Sequence, residues 1–302
     1  MLSSRPQIAG LPVAAGRFRS ARVARLIEVQ ALPFVFSLLV ALGLTPLIRR
    51  QLSEAGMVRE NYRGTMLPVP LGVAIVPAAL IALIGVMLLA RLTDADVFPT
   101  DLSLVIAFIP GIALLGLIDD VLAGSSRGIR GHATAALGGN FSSGLLKAFG
   151  TLGLALLVAS TLPGDKGDFL LAAAVLVLAT NAFNLLDLRP GRSVKALVLL
   201  GAGLTAATQI TEPAAALGLF LGPVLVCAYY DLREQAMLGD AGSNVIGAIA
   251  GVWLVLTLDP SEQLVALLVL LLINIYGEFR SISTVIEKVP GLRHLDSLGR
   301  PS

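Results

Sequence analysis

Cysteine, histidine and tryptophan are nearly missing from this sequence, which has one cysteine, two histidines and one tryptophan in 302 residues. Cys227 has no second cysteine to pair with, so an internal disulfide and a thiolate metal cluster are both excluded. The apolar run around Cys227 indicates a buried core residue. His132 and His294 have no metal-ligand partner at helical spacing, and both are typical of loop surfaces.

Charged residues are also scarce: they make up 14% of the chain, whereas hydrophobic residues make up 56% and the mean hydropathy is +0.85. These values lie far outside the usage of soluble globular proteins. The apolar runs are long enough to cross a membrane, and membrane helices tolerate the glycine and proline within them. We therefore predict an all-α, polytopic membrane bundle without an internal repeat or a soluble domain. The nine predicted spans cover residues 31–48, 67–90, 102–118, 145–162, 168–186, 194–210, 213–228, 242–258 and 262–279.

Lysine and arginine are unevenly distributed between the predicted loops. Outside the basic tail at 1–30, all of them except Arg91 and Lys166 lie in or beside the loops that follow the odd-numbered spans. The positive-inside rule places these loops in the cytoplasm, with one transmembrane domain at 31–280 and a cytoplasmic tail at 281–302. Nine spans then put the basic N-terminal tail outside, against the same rule. Either that tail is an interfacial arm or a mis-assigned start, or the number of spans differs from nine.

Three groups of polar residues lie at span ends that this topology places on one face of the membrane. The first is the pair Asp119-Asp120, which closes the third span in LIDD. Adjacent carboxylates are repelled by the negative end of the helix dipole, so a metal, or Arg127 and Arg130, should compensate them. One carboxyl of such a pair can act as a general base. The alternative is a pair of solvated interfacial charges.

The second group closes the fifth span in TNAFNLLDLRPGR. Asn181, Asn184 and Asp187 recur every three residues, which places them near one face of a helix. Amides and carboxylates are costly in lipid unless they are paired, so this face should contact protein or water, and its oxygens suit Mg²⁺. Arg189 and Arg192 flank a Pro-Gly turn, where they could bind phosphate oxygens or only anionic lipid headgroups.

The third group opens the eighth span in LGDAGS. Its small residues let a phosphate approach the N–H groups of a helix N-terminus, and Asp240 could hold a metal that bridges phosphates. A simple N-cap is the alternative. A basic loop with Arg59 and Arg63 precedes the second span, where a positive-inside anchor is as well supported as substrate binding. The three acidic groups together predict one Mg²⁺-binding pocket where lipid meets cytosol.

The basic loop, LIDD, NAFNLLD and LGDAGS occur in the order found in the polyprenyl-phosphate N-acetylhexosamine-1-phosphate transferase superfamily, which the chain resembles over roughly residues 31–280. That superfamily includes phospho-N-acetylmuramoyl-pentapeptide transferase and the UDP-GlcNAc:polyprenyl-phosphate transferases. The resemblance implies that a polyprenyl (undecaprenyl) phosphate attacks the β-phosphorus of a UDP-sugar, with Mg²⁺, or Mn²⁺ in its place, as the cofactor. The products would be polyprenyl-diphospho-sugar and UMP, for cell-envelope glycan synthesis.

The same resemblance implies roles for individual residues. Asp240 and Asn184 correspond to ligands of the metal and the diphosphate. Asp119 and Asp120 would handle the attacking phosphate or help to place the metal. The residues implied to bind substrate are Arg63, Arg127, Arg130, Asn181, Asp187, Arg189 and Arg192, of which Asn181 and Asp187 would face the nucleotide.

Three features depart from the pattern of the family. Ala123 stands where many pentapeptide transferases have lysine, and Pro190 stands where the second loop often has a second aspartate. The histidine-rich loop after the ninth span is missing, and no tenth span follows. These departures argue against the muramoyl-pentapeptide substrate. They leave open another UDP-sugar, another acceptor, or a relative that acts as a binding or scaffold protein without catalysis.

Two unrelated functions are alternatives to this interpretation. An intramembrane prenyltransferase of the UbiA kind needs two aspartate-rich clusters, of which Asn184 to Asp187 offers half of one. A transporter favours ionisable residues at mid-span and internal symmetry, and neither pattern is found. Gly218 and Gly222 have the spacing of small residues at helix pairs, so a homodimer stays open. The expected partners are the membrane, the lipid phosphate and the UDP-sugar, without nucleic acid.

Overall fold

The computed structural model of the protein describes residues 31–93, 97, 103–122 and 143–301. Nearly all regular structure in these residues is helical, with one short antiparallel hairpin and a 3₁₀ turn at Leu71–Ala74. In chain order the elements are α1 Leu32–Glu54, β1 Val58–Glu60, β2 Met66–Pro68, α2 Ile75–Thr93, α3 Ser103–Leu122, α4 Ser143–Ala159, α5 Lys166–Leu186, α6 Arg192–Thr208, α7 Glu212–Leu232, α8 Gly239–Thr257, α9 Pro260–Phe279, α10 Ile282–Lys288 and α11 Pro290–Ser297.

Each of the helices α1 to α9 overlaps one of the nine predicted spans, although the span predicted at 67–90 begins in β2 and the 3₁₀ turn. Within the described residues, seven helical stretches are long and apolar enough to cross a membrane; they contain α1, α2, α3, α5, α7, α8 and α9. The remaining two, α4 and α6, have 17 residues each. The chain is therefore a helical, multi-pass membrane protein, and the number of nine spans stays a prediction. The tail at 1–30 lies outside the described residues, so its side of the membrane also stays a prediction.

The centre of the bundle is α8. In the most apolar 18-residue stretch of α8, 83% is buried inside the protein. In the corresponding stretch of α9, only 11% is buried. α8 packs against α3, α5, α6 and α7. Glycine permits this packing, because a Cβ added at Gly247 would lie only 2.6 Å from the Cα of Thr180 on α5. The apolar side chains of α9 are mostly exposed, as expected for a helix that faces lipid.

The helix ends that carry the predicted groups lie side by side, at what we call the site end of the bundle. Gly116 on α3 is so close to α8 that an added Cβ would overlap the carbonyl oxygen of Asp240 and lie 2.7 Å from its carbonyl carbon. A Cβ added at Gly72 would overlap the backbone of Gly242, and the N–H of Gly72 donates to the carbonyl of Leu238 at 2.9 Å. These contacts fix the beginning of α8 against its neighbours.

Replacing Gly116 with alanine should destabilise the protein, although alanine is the better helix former. The added methyl group has no space beside Asp240, and overpacking of this kind typically costs about 1–3 kcal/mol. Gly153 on α4 is the matched control, because an added Cβ there meets nothing within 4 Å. Thermal unfolding in detergent should show a lower midpoint for Gly116→Ala and an unchanged or higher midpoint for Gly153→Ala. Equal midpoints for the two variants would contradict the close approach of α3 and α8.

Candidate active site

Asp120 joins the end of α3 to the beginning of α8. Its carboxylate accepts hydrogen bonds from the backbone N–H groups of Asp240 at 3.1 Å and Ala241 at 2.8 Å. The first N–H groups of a helix have no acceptor within the helix, so Asp120 caps α8 from another element and complements the positive end of its dipole. The guanidinium of Arg59 lies 3.9 Å from the same carboxylate and donates to the Asp120 carbonyl at 2.5 Å. Both carboxylate oxygens of Asp120 are therefore used to hold the site together.

Lys147 on α4 connects the other aspartates. Its Nζ lies 2.6 Å from Oδ2 of Asp240 and 3.3 Å from Oδ2 of Asp119. The Lys147 side chain is 13% exposed, and an ammonium inside an apolar helix needs ionic partners. Lys147 therefore supplies the compensating cation that the pair at the end of α3 requires. Arg127 and Arg130, the predicted alternatives, lie outside the described residues.

Asn184 on α5 brings the second predicted group to the same place. With its amide nitrogen toward Asp240, it donates to Oδ1 of Asp240 at 3.3 Å and to Oγ of Ser243 at 2.8 Å, and its oxygen accepts from Nζ of Lys147 at 3.0 Å. This amide orientation satisfies both the nitrogen and the oxygen. We call Asp119, Lys147, Asn184 and Asp240 the Lys147 cluster. It unites residues of α3, α4, α5 and α8.

Asp187 follows the last residue of α5 and is half-buried beside the cluster. Its removal from water, and the nearby carboxylates of Asp231, Asp240 and Asp120, raise the pKa of Asp187 well above its ordinary value. Asp231, near the end of α7, accepts a hydrogen bond from the N–H of Gly191 at 2.6 Å and so fixes the Pro-Gly turn. The raised pKa favours the neutral form of Asp187, which can donate a hydrogen bond to a bound ligand.

A cavity of about 720 Å³ opens beside the Lys147 cluster. Its walls come from the ends of α3 and α5, the beginning of α8 and the residues around the end of α9. Its volume lies within the range of roughly 300–1,000 Å³ that is common for small-molecule sites. The polar side chains on its walls include Arg59, Asp120, Asn184, Asp187 and Asp240.

The predicted substrate-binding arginines occupy a different surface. Arg63, Arg189 and Arg192 each contact residues that follow α9 in the chain. None of the three is among the described residues that line the cavity. These arginines therefore surround the site end without reaching the Lys147 cluster.

Asn181 is also separated from the cluster. Its amide nitrogen donates to Oδ1 of Asn274 on α9 at 2.6 Å, and Asn274 donates to the carbonyl of Leu178 at 3.0 Å. Asn181 is exposed and does not line the cavity in the described part of the chain. Asn181 and Asn184 are thus three residues apart but contact different helices: Asn181 contacts α9 and Asn184 contacts α8.

The donor atoms of the cluster suit a hard divalent cation. Oxygens of Asp119, Asn184 and Asp240 converge on the ammonium of Lys147 within 3.3 Å. Carboxylate and amide oxygens are the ligands that Mg²⁺ and Mn²⁺ prefer. In the part of the chain that the structure describes, no group of three or more histidine, cysteine, aspartate or glutamate residues is arranged to hold a metal. The oxygen donor types alone fit such a cation, which would compete with Lys147 for the carboxylates of Asp119 and Asp240.

Two residues of the site lie outside the predicted groups. Lys147 is the single charged residue of α4, and an isolated charge in an apolar helix is a signal of a buried ionic partner. Asp231 gives a similar signal near the end of α7. Neither residue belongs to a short motif, so the motifs of the sequence do not indicate them.

A scan against models of known protein families finds no match, and a search of curated proteins finds none. The function of this chain is therefore inferred from its own residues and their geometry.

Proposed function

We propose that the protein is an integral membrane phosphoglycosyltransferase, which moves a sugar-1-phosphate from a UDP-sugar to polyprenyl phosphate and releases UMP. The observation that carries this proposal is the convergence of Asp119, Asn184 and Asp240 with Lys147 at span ends, beside a cavity of about 720 Å³. A site at span ends can receive a nucleotide sugar from water and a lipid from the bilayer. The family resemblance of LIDD, NAFNLLD and LGDAGS supports the same reaction.

The reaction forms one bond and breaks one bond. An oxygen of the lipid phosphate bonds to the β-phosphorus of the UDP-sugar, and the bond from this phosphorus to the bridging oxygen breaks. UMP leaves with the electron pair, and the lipid diphosphate keeps the sugar. The lipid phosphate is already ionised near neutral pH, so the protein mainly has to position the reactants and neutralise their charge.

The residues of the cluster divide this task. Mg²⁺ held by Asp119, Asn184 and Asp240 would neutralise charge on the diphosphate. Lys147 offers an ammonium to phosphate oxygens from a site with little water, where its charge acts strongly. Asp120 is a positioning residue, because both of its oxygens cap α8. Asp187, on the cavity wall, faces the nucleotide.

We further propose that the site end faces the cytoplasm of a bacterial-type plasma membrane, where the product would enter cell-envelope glycan synthesis. The bias of lysine and arginine toward the loops at this end supports that orientation. Nucleotide sugars are cytoplasmic metabolites, so the orientation agrees with the proposed donor.

UMP release tests the proposal directly. Purified protein with Mg²⁺, undecaprenyl phosphate and a panel of UDP-sugars should release UMP with at least one donor. Release should require the lipid and the metal and should be lost in Asp240→Asn. Release that continues in Asp240→Asn would place the chemistry elsewhere. The donor that supports turnover would also identify the sugar.

One observation favours a second candidate, a relative that binds these ligands without catalysis. The ammonium of Lys147 already stands between the carboxylates of Asp119 and Asp240. If this ion pair excludes the metal permanently, calorimetric titration with Mg²⁺ should show no binding, and no UDP-sugar should release UMP. Mg²⁺ binding together with turnover would rule out this candidate.

A further inference from the structure

The segment after α9, residues 281–301, lies across the site end of the bundle, and we call it the C-terminal strap. It contains the short helices α10 and α11, and neither helix has a buried residue. The strap is therefore held in place by polar contacts and not by a packed core. Segments of this kind open at low free energy compared with the rest of a fold.

Asp296 is the main attachment point of the strap. Its carboxylate accepts two hydrogen bonds from the guanidinium of Arg192, at 2.9 and 3.1 Å, and lies 2.5 Å from Nη2 of Arg300. The ammonium of Lys195 donates to the Asp296 carbonyl at 2.6 Å. The side chains of Arg192 and Asp296 are only 6% and 12% exposed. Removal from water alone would raise the pKa of Asp296, but the hydrogen bonds and positive charges of Arg192 and Arg300 together outweigh this effect and lower the pKa below its ordinary value.

All three described arginines that were predicted to bind substrate are held by the strap. Besides the pair of Arg192 with Asp296, Arg189 lies 3.4 Å from the carboxylate of Glu287, and Arg63 donates to the carbonyl of Pro301 at 2.9 Å. Arginine binds carboxylate and phosphate with the same paired geometry. The strap therefore occupies the arginine side chains that a phosphate ligand would need as partners.

The beginning of the strap also lines the cavity. Ser281 and Ile282 belong to its wall, next to Arg280 at the end of α9. Arg192 additionally donates to the hydroxyl of Ser283 at 2.9 Å, which ties this part of the strap to α6. Displacement of the strap would thus free the arginines and widen the cavity in one movement.

We propose that the C-terminal strap is an autoinhibitory cover, and that a nucleoside diphosphate displaces it by competing with Asp296 for Arg192 and Lys195. The identity of the ligand rests on the proposed transferase function, whereas the release of the strap can be measured without turnover. In the closed state the Asp296 carboxylate occupies the position of a ligand phosphate. In the open state Arg192 and Lys195 are free to bind a phosphate.

Hydrogen–deuterium exchange of residues 282–301 in the purified full chain tests the cover. Asp296→Asn should increase exchange in the strap by about tenfold or more, because it breaks a buried ion pair. Addition of UDP to the unmodified chain should also increase hydrogen–deuterium exchange in the strap. Glu287→Gln is the matched control: its partner is Arg189, but the Glu287 side chain is 57% exposed, so exchange should change by less than about twofold.

Affinity for UDP gives a second, independent measurement. Asp296→Asn should bind UDP about tenfold more tightly than the unmodified chain, since the competing carboxylate is neutralised. Arg300→Gln loosens the same contact from within the strap and should act in the same direction if Asp296→Asn fails to fold. Unchanged strap exchange in these variants, or weaker UDP binding, would overturn the autoinhibitory cover. Absence of UMP release in every variant would instead overturn the transferase proposal, which leaves the exchange result valid by itself.

Discussion

Lys147→Met should lower UMP release by about 10²–10³-fold, the loss typical for removal of one preorganised charged group at a transition state. The ammonium of Lys147 donates to the carboxylates of Asp119 and Asp240 and to the amide oxygen of Asn184, and the described residues show no second cation paired with these two carboxylates. Methionine has a similar length and suits an apolar helix, which limits the change to the charge. Initial rates of UMP release with saturating lipid would measure the effect.

The response of the same variant to Mg²⁺ separates catalysis from folding. Without Lys147, the carboxylates of Asp119 and Asp240 lose their cation, so the metal-free variant should unfold at a lower temperature. Mg²⁺ should then raise its unfolding temperature by more than it raises that of the unmodified chain, because the competing ammonium is gone. Lys147→Arg keeps the charge. Its unfolding temperature should therefore fall less than that of Lys147→Met, and Mg²⁺ should raise it by a smaller amount. An equal response of all three proteins to Mg²⁺ would contradict binding of the metal at this cluster.

The general architecture follows from hydrophobicity alone. Each predicted span coincides with a helix, because an apolar run of this length has no alternative in lipid but to satisfy its backbone internally. The alternation of spans also places LIDD, NAFNLLD and LGDAGS at one end of the bundle. Span ends were less accurate: the third was predicted to end at residue 118, whereas α3 continues to Leu122 and includes Asp119 and Asp120 as helical residues.

Pairing between distant side chains was harder to predict. The spacing of Asn181 and Asn184 indicates a shared helical face, but α9 and α8 pack on adjacent sides of α5 and separate the two amides. The family resemblance implies one shared role for Asp119 and Asp120, at the attacking phosphate or the metal, and the cap that the Asp120 carboxylate forms on α8 is not visible in the sequence. Such distinctions depend on which helix faces which, and a sequence contains this information only through long-range packing.

The strap shows the same limit. The sequence predicts a cytoplasmic tail at 281–302, and Arg192 is expected to bind a substrate or lipid phosphate. The structure instead pairs Arg192 with Asp296, at a separation of 104 residues along the chain. No local pattern predicts that contact, because the pairing of side chains so distant in the sequence does not follow from residue spacing.

The adjacent aspartates at the end of α3 provide the sharpest test of the division between positioning and chemistry. Asp120→Asn should destabilise the protein by about 1–3 kcal/mol, because an amide oxygen can replace only one acceptor for the N–H groups of Asp240 and Ala241. The amide nitrogen then faces a backbone donor in a buried place, and the attraction to Arg59 is lost. Thermal unfolding in detergent would measure this change.

Asp119→Asn should instead lower the activity and leave the stability nearly unchanged. Asp119 accepts a hydrogen bond from Lys147 at 3.3 Å, and asparagine can keep that bond through its amide oxygen while losing the charge. We expect an unfolding temperature close to that of the unmodified chain, with UMP release reduced by about 10²–10³-fold. If instead Asp119→Asn unfolds early and Asp120→Asn remains stable but inactive, the roles assigned to the two carboxylates are reversed. A loss of both stability and activity in each variant would mean that the pair acts as one structural unit, since only a separation of the two effects distinguishes a residue that holds α8 from one that acts through the Lys147 cluster.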